Sequence, residues 1–396
     1  QISKDSRVYS IREAPNGNYE LNFGDGVSFG KKPDPGNKIV VTYLSTKGAV
    51  ADNGTSFTSN SDLTVNNVQY PIITTVKTES TGGANKQTIE SIRQLAPIAY
   101  ASQARLVTSL DYKGMVLSNF PEVTDCNVWS GDQNVPRDYG AVYISLNFAN
   151  GTDDTVKDRV KANIITNFTN NLAVVSMETK YADPTDMFLE LVVGFNFDPS
   201  LTGFSLPATE STVYNFMTNY FTKNLNKFDK IFRRSNMLTE LDALDPAILS
   251  SRCDVKVQLR IVPTIGTKRL FELQFPMALK GADDITHIVS STIFEYEGVV
   301  ALIRNKLSST RLQIQDIDGN VLLDNVGEYN PSKGTVTITG FTPQALIGGN
   351  DYIKISAIPL NESVIRPLRN YVIKLDTTET FATATLDRQE TGLTVT

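Results

Sequence analysis

The sequence contains few of the side chains on which most catalytic and metal sites depend. Its 396 residues include one histidine, His287, and two cysteines, Cys126 and Cys253. A zinc site needs several cysteine or histidine ligands at short spacing, and a histidine-based catalytic triad would have to use His287. Two cysteines do not make a disulfide framework, and both lie beside apolar residues, so we interpret them as buried free thiols. We expect no metal, no cofactor and no catalytic residue.

Long apolar runs and an excess of positive charge are also missing. No apolar run approaches the 18 residues of a membrane-spanning helix, so we expect no membrane span. The 37 basic and 43 acidic residues give a net charge of −6, whereas general nucleic-acid binding needs a basic surface. We therefore expect no nucleic-acid partner. Because the first residue is Gln1 and the opening residues indicate the start of a strand, we interpret the sequence as a fragment lacking its N-terminal portion.

The strand and helix patterns predict an α+β protein. Because a single hydrophobic core stops growing well below 396 residues, we expect several domains. The first domain, residues 1–121, is expected to be β-rich with two helices. Alternating or apolar runs predict three strands, near Val8–Ile11, Tyr19–Phe23 and Ile39–Leu44. Gly24-Asp25-Gly26 and Pro33-Asp34-Pro35-Gly36 supply turns. Residues 51–87 predict a long exposed excursion with one strand near Val68–Val76.

Two helices are predicted at the end of this domain. The first starts near Thr88, and Pro97 is expected to kink it or to begin a new turn. Its apolar face comprises Ile92, Leu95, Ala96 and Ala99. The second has Thr108 as N-cap, with Asp111 completing an acidic form of the capping box. Its inward-facing side chains are predicted to be Leu110, Val116 and Leu117.

The second predicted domain, residues 122–282, is a central α/β part. The predicted strands are Val123–Trp129, Ala141–Phe148, Met187–Phe197, Val255–Pro263 and Leu270–Phe275. The predicted helices are Asp153–Asn170 and Thr209–Lys223. Two strand–helix–strand passages favour one open sheet with helices on one face, in a ferredoxin-like or split variant.

The third predicted domain, residues 283–396, is a C-terminal β module. Its predicted strands are Arg311–Gln315, Val321–Asp324, Thr335–Thr339, Tyr352–Ala357 and Val372–Leu375. Asp318-Gly319 indicates a hairpin turn. The calcium-loop spacing is not met from Asp316, since positions six and twelve are Val321 and Gly327. We interpret that segment as a hairpin.

One stretch of the central part is basic. Residues 223–234 contain five lysines and arginines against one aspartate. The simpler interpretation is a basic helix end or loop, and the more specific one is a contact with an acidic neighbouring protein.

Two segments, in this order, resemble the signature of the baseplate J-like family of contractile phage tails. The first contains Phe23-Gly24-Asp25-Gly26 and ends with Ile39-Val40-Val41-Thr42-Tyr43. The second contains Arg93-Gln94-Leu95-Ala96-Pro97 and Val107-Thr108-Ser109-Leu110-Asp111-Tyr112. The matching residues are Phe23, Gly24, Asp25, Gly26, Gly36, Arg93, Ala96, Pro97, Arg105, Thr108, Asp111 and Tyr112. The resemblance covers roughly residues 1–260. The excursion and the added β module are similar to features of wedge proteins of T-even-like tails.

The resemblance implies a structural, non-enzymatic part of the baseplate wedge. It would be located in the virion tail baseplate and assembled in the host cytoplasm. The implied partners are a second copy of the chain, as a homodimer, together with other wedge proteins and the central hub. It also implies shifts of rigid modules on triggering, with joints near Gly82-Gly83 and Gly281. From the residues themselves, we expect the glycines to permit tight turns, Asp111 to cap a helix, and Arg93 and Arg105 each to reach a carboxylate or a helix C-terminus.

Two other functions stay open from the sequence. A receptor-binding or adhesin module at the tail tip could use aromatic side chains of the C-terminal region to stack on sugars. These are Phe294, Tyr296, Tyr329 and Tyr352, although packing in a core or interface is the simpler role for them. A cell-wall-degrading enzyme is the third, because 43 acidic residues always offer some carboxylate pair.

Overall fold

The computed structural model describes most of the chain and divides it into two compact units, residues 1–51 and 52–396. The described residues are 2–14, 18–51, 54, 56–77, 80, 83, 85–103, 105–134, 136–149, 151–174 and 176–388. The three domains predicted from the sequence stay predictions. At the coarser level the α+β class is confirmed, with more strand than helix.

The first unit is built on one antiparallel hairpin. Strand β1 (Tyr9–Glu13) pairs with β2 (Tyr19–Phe23), and Tyr9 lies opposite Phe23. A short 3₁₀ helix follows at Gly48–Ala51. The predicted third strand at Ile39–Leu44 is wrong, because these residues form no ladder and their side chains are exposed. An extended apolar run becomes a strand only where a neighbouring chain supplies hydrogen-bond partners.

The second unit opens with a small hairpin and two helices. Strands β3 (Leu63–Val65) and β4 (Val68–Tyr70) form the hairpin in the excursion. Helix α1 (Ile89–Ser102) begins after its N-cap Thr88, and α2 (Ser109–Asn119) begins after Thr108, as predicted. Helix α1 runs through Pro97 instead of ending there, and none of its side chains is buried. Its predicted apolar face is therefore not a core face.

A three-stranded sheet follows. Strand β5 (Val123–Ser130) pairs antiparallel with β6 (Ala141–Phe148), which pairs parallel with β7 (Glu178–Tyr181). The crossover from β6 to β7 consists of α3 (Asp154–Asn163), a π-helical segment (Ile164–Thr169) and α4 (Asn170–Leu172). Val156, Val160 and Ile164 are buried in one cluster with Val116 of α2. The predicted helix over residues 153–170 is thus correct in extent, but its hydrogen bonding changes from the α to the π pattern at Ile164.

The rest of the unit is dominated by one thirteen-stranded sheet. Its strands are β8 (Thr185–Phe197), β10 (Ile248–Ile261), β11 (Arg269–Gln274), β12 (Val289–Ser291), β13 (Phe294–Tyr296), β14 (Val299–Asn305), β15 (Arg311–Asp316), β16 (Val321–Asn330), β17 (Thr335–Phe341), β18 (Ala345–Leu346), β19 (Ile353–Ala357), β21 (Tyr371–Leu375) and β22 (Phe381–Leu386). Ten of them pair in the order β11-β17-β16-β15-β14-β12-β19-β10-β8-β21, while β13 pairs with β14 and β18, and β22 pairs with β8. A separate ribbon pairs β9 (Phe232–Arg233) with β20 (Val364–Ile365).

Two further helices complete this part. Helix α5 (Leu206–Asn224) and α6 (Arg234–Asp242) contribute buried residues such as Met217 and Met237 to the core under the large sheet. Short 3₁₀ helices lie at Gly131–Gln133 and Pro199–Leu201. These helix residues belong to the same buried cluster as the strands of the large sheet.

The central part does not form the single ferredoxin-like sheet that we predicted. Its first strand–helix–strand passage, β6 to β7, lies in the three-stranded sheet, and its second, β8 to β10, is an antiparallel pair in the large sheet. Strands from beyond residue 283, including β19 and β21, flank β10 and β8 directly. Alternation predicts strands but not which strands pair across long separations, and this explains the difference.

Candidate functional site

The Gly-Asp-Gly segment of the first unit is a turn organised by one carboxylate. Oδ1 of Asp25 accepts hydrogen bonds from the backbone N–H groups of Val27, Ser28 and Phe29, at 2.8, 2.8 and 2.9 Å. Its own N–H donates to the Phe29 carbonyl oxygen. Bonds from Phe29, Val27 and Ser28 lower the pKa of Asp25, because they favour the charged carboxylate. All three donors serve the local turn.

The glycines of this motif differ in their roles. Gly26 and Gly36 have φ of 74° and 87°, a region that side chains disfavour. Gly24 has no such φ, but a Cβ there would overlap the backbone of Gly30. Position 24 requires a glycine because two stretches of backbone pass close together there, not because of a positive φ. Phe23 ends β2 with a largely exposed ring.

The second motif lies at the corner between α1 and α2. Oγ1 of Thr108 accepts from the N–H of Asp111, and Oδ2 of Asp111 accepts from the N–H of Thr108 at 2.8 Å. The predicted capping box is therefore formed. Tyr112 is buried, and burial raises the pKa of its hydroxyl. Leu110, in contrast, is exposed, so its predicted inward position is wrong.

Several second-motif residues line one cleft. A cavity of about 510 Å³ is lined by Pro97, Arg105, Thr108 and Asp111, among others. Ala96 lies on the exposed surface of α1. Within the described residues, neither Arg93 nor Arg105 forms an ion pair, so their expected carboxylate contacts are not seen inside this chain. The two motifs fall in different units, and the structure brings together only residues of the second.

A buried polar layer on the large sheet was not predicted. Nζ of Lys354 on β19 lies 2.9 Å from Oδ2 of Asp376, and Nε2 of Gln258 on β10 donates to the same oxygen at 2.7 Å. Gln258 also donates to Oε1 of Glu190 on β8, which accepts from the hydroxyl of Ser356. This layer, defined as Glu190, Gln258, Lys354, Ser356 and Asp376, ties three adjacent strands to the turn after β21.

Burial acts differently on the two acids of the layer. Burial opposes ionisation of Asp376, but hydrogen bonds from Lys354, Gln258 and Thr378 outweigh it and lower the pKa of this carboxyl. At Glu190 burial dominates over the bonds from Ser356 and Gln258, so its pKa is raised. Arg260 stacks between Phe188 and Tyr352, 3.5 and 4.3 Å from the ring centroids. All five residues of the layer are buried.

The two cysteines are buried, and His287 is half-buried. Burial raises the pKa of both Cys126 and Cys253 to about 12, so the thiols stay protonated at neutral pH. Nδ1 of His287 lies 2.7 Å from the Asn305 carbonyl oxygen. Among the described residues, no group of three or more histidine, cysteine, aspartate and glutamate side chains is placed to hold a metal ion. Over the same ranges, no helix has the length and apolar character needed to cross a bilayer.

Two folded segments match known family models. Residues 108–179, from the capping box to β7, match the model described as baseplate structural protein gp6, C-terminal domain I. Residues 187–259, from β8 to β10, match that of C-terminal domain III of the same protein. The chain is also 25% identical over 270 residues to baseplate wedge protein gp6 of Enterobacteria phage T4.

The chain is similar to gp6-like baseplate wedge proteins. The alignment with the T4 protein covers 64% of this chain and 40% of that relative, so the chain spans well under two thirds of its length. A solved structure, the cryo-EM structure of the anti-feeding prophage (AFP) baseplate, 6-fold symmetrised, contains a chain similar over 48% of this one and 41% of that one. Its TM-score is 0.29 and its identity 13%.

Proposed function

We propose that this protein is a structural component of the baseplate wedge of a contractile phage tail, located in the virion. The observation that carries the proposal is the match of two adjacent folded segments, 108–179 and 187–259, to gp6 C-terminal domain models. The identity of 25% with the T4 wedge protein over 270 residues supports the same assignment. The motif residues further support placement in the baseplate J-like family.

The physical features suit a scaffold rather than an enzyme. One sheet of thirteen strands joins distant parts of the chain, and the buried polar layer ties β8, β10 and β19 to the turn after β21. The motif side chains close turns and cap helices. We therefore propose a non-enzymatic role in which the protein transmits load and position through rigid contacts.

The proposed partners are a second copy of the chain, other wedge proteins and the central hub, with assembly in the host cytoplasm. We further propose that the modules shift as rigid bodies when the baseplate triggers, with one joint near Gly281. The other expected joint includes Gly82, which lies outside the described residues. Sedimentation equilibrium over a concentration series tests the dimer: a mass that stays monomeric at every concentration would contradict it.

An adhesin at the tail tip is the less favoured function. Phe294 and Tyr329, two of its four candidate sugar-stacking residues, are buried in the sheet core. Tyr352 stacks on Arg260 instead of standing free. Three of the four aromatic side chains are thus engaged in packing within the fold. The main argument for sugar binding is therefore lost. A zymogram with cell-wall substrate tests the enzymatic alternative.

Immunogold electron microscopy of intact virions tests the proposed location. Antibodies raised against residues 187–388, the part that includes the large sheet, should label the end of the tail distal to the head. Antibodies against the major capsid protein serve as the control for specificity. Labelling of the head, the tail tube or the fibre tips would contradict the assignment.

A further inference from the structure

The strongest feature outside the motif residues is a basic surface on the β9–β20 ribbon. Phe232 and Ile365 face each other across the ribbon and are fully buried. Arg233, the last residue of β9, and Arg366, the residue after β20, are both exposed.

Two lysines extend this surface. Lys227 and Lys230, in the loop before β9, are exposed. We call these four residues, Lys227, Lys230, Arg233 and Arg366, the basic ribbon. Among the described residues none of the four forms an ion pair, whereas the adjacent Arg234 pairs with Glu362 at 3.3 Å. The sequence showed a basic stretch, and the fold adds Arg366 from more than a hundred residues away.

The acids around the ribbon are already engaged. Glu362 is paired with Arg234. Oδ1 of Asp229 accepts from Nδ2 of Asn127 at 3.1 Å, and burial raises the pKa of this carboxyl. Asp125 is buried and pairs with Lys113 at 3.0 Å. Asp229 is the one acidic residue within residues 227–233, so the four basic side chains keep an excess of positive charge, although the whole chain carries −6.

A concave site lies beside Arg369, in the loop that follows β20. Asn127 donates to the Arg369 carbonyl oxygen at 2.7 Å, which fixes the loop that follows Arg366 beside Asp229. Arg369 and Arg137 line a cavity of about 550 Å³ together with Tyr143 and Asp138. Asp138 is neutralised by Lys180 at 2.7 Å. Nη1 of Arg369 donates to Oδ1 of Asn134 at 3.2 Å, and Nη1 of Arg137 donates to the Tyr139 hydroxyl at 3.1 Å. The remaining N–H groups of the two guanidinium groups are suited to a carboxylate.

We propose that the basic ribbon and this cavity form a docking surface for an acidic segment of a neighbouring protein, with one carboxylate entering between Arg137 and Arg369. Charge complementarity favours this occupant. A nucleic acid is disfavoured because its binding depends on many phosphate contacts, and the net negative chain would repel it away from the ribbon. The inference goes beyond the proposed function and does not require it, since it concerns the isolated chain.

Fluorescence anisotropy with the purified chain tests the inference at low salt. The probes are a fluorescein-labelled peptide of alternating glutamate and alanine, the same peptide with glutamine for glutamate, and a single-stranded DNA oligonucleotide. We expect binding of the glutamate peptide, weakened at least about tenfold in R233E/R366E, because two attractive contacts become repulsive. The matched control K268E/K333E changes net charge equally at exposed positions outside the ribbon and should bind within about twofold of the wild type.

Thermal unfolding of both variants shows whether they fold. Both pairs of side chains are exposed, so unchanged melting temperatures are expected. The proposal is overturned if the wild type fails to bind the glutamate peptide, or if both variants lose affinity equally. Tighter binding of the DNA than of the glutamate peptide would overturn it in favour of a nucleic-acid surface. Failure of these measurements would leave the baseplate assignment standing, because that rests on the family-model matches and is tested separately by immunogold labelling.

Discussion

Nζ of Lys354 lies 2.9 Å from Oδ2 of Asp376, and both side chains are almost completely buried. The pair joins β19 to the turn after β21, with Arg260 3.3 Å from the same carboxylate oxygen. Such a pair does not by itself stabilise a fold more than apolar packing would, but losing one partner leaves a buried charge. The contact therefore specifies how the edge of the large sheet is arranged.

Lys354→Met should lower the free energy of unfolding by about 3 kcal/mol, since Asp376 would stay buried with only Arg260 as its cationic partner. Urea unfolding followed by circular dichroism measures the change. Lys306→Met is the matched control: its pair with Asp324 is exposed at both ends, so the loss should stay below about 1 kcal/mol. Equal losses in the two variants would show that the buried pair has no special role.

Glu190→Gln should stabilise the protein at neutral pH. The raised pKa of Glu190 means that folding favours its protonated form, so ionised Glu190 reduces stability above the folded-state pKa. As pH falls from there towards 4.5, the ordinary pKa of a glutamate carboxyl, this cost disappears. Glutamine is uncharged and keeps an oxygen that can accept from Ser356 and Gln258.

Melting temperatures between pH 4 and pH 8 check this prediction. The variant should gain most at the alkaline end and converge with the wild type at the acid end. Glu328→Gln, at an exposed position of β16, controls for the general effect of removing one negative charge. A variant with lower stability than the wild type across the range would refute the assignment of a burial cost to Glu190.

Regular local patterns were the part of this fold that sequence could predict. Strand β6 has the predicted bounds, Ala141–Phe148, because six of its eight residues are apolar or aromatic and both of its faces are at least half-buried. The prediction of a capping box formed by Thr108 and Asp111 was correct because both partners lie within one helical turn. The Gly-Asp-Gly turn formed for the same reason, since its bonds span four residues or fewer.

Long-range pairing explains most of what was missed. Glu190 and Ser356 are 166 positions apart, and Gln258 and Asp376 are 118 apart. Glu190, Gln258, Lys354 and Ser356 each lie on a strand, where a polar residue between apolar ones normally indicates a solvent-facing side, and Asp376 lies in a turn. Nothing local distinguishes a buried polar layer from an exposed one. For the same reason, the sequence did not predict that strands from both sides of residue 283 pair in one sheet.

Thr108→Ala should cost about 1 kcal/mol of stability, because the N–H of Asp111 loses its side-chain acceptor at the start of α2. Chemical unfolding measures the difference. Ser109→Ala, one position later and exposed, is the control and should change stability by less than about 0.5 kcal/mol. Equal effects would indicate that the capping box contributes nothing beyond helix propensity.

Gly24→Ala should disrupt the turn of the first unit, since the added methyl group would overlap the backbone of Gly30. Amide hydrogen exchange of Val27, Ser28 and Phe29 reports on the turn directly, because these groups donate to Asp25. Their exchange should accelerate strongly. Gly203→Ala, with no atom near the added carbon and no positive φ, should leave exchange at these amides unchanged. Unaltered exchange in Gly24→Ala would contradict the close-approach role.

If the protein is a structural part of the baseplate wedge, as we propose, tails should not be completed without it. Negative-stain electron microscopy of lysates from a phage carrying a nonsense mutation in this gene tests this, with a suppressor host as the control. We expect filled heads without complete tails, and complete particles in the suppressor host. Complete tails on particles that fail to adsorb or to penetrate would contradict it and would place the protein at the host surface instead.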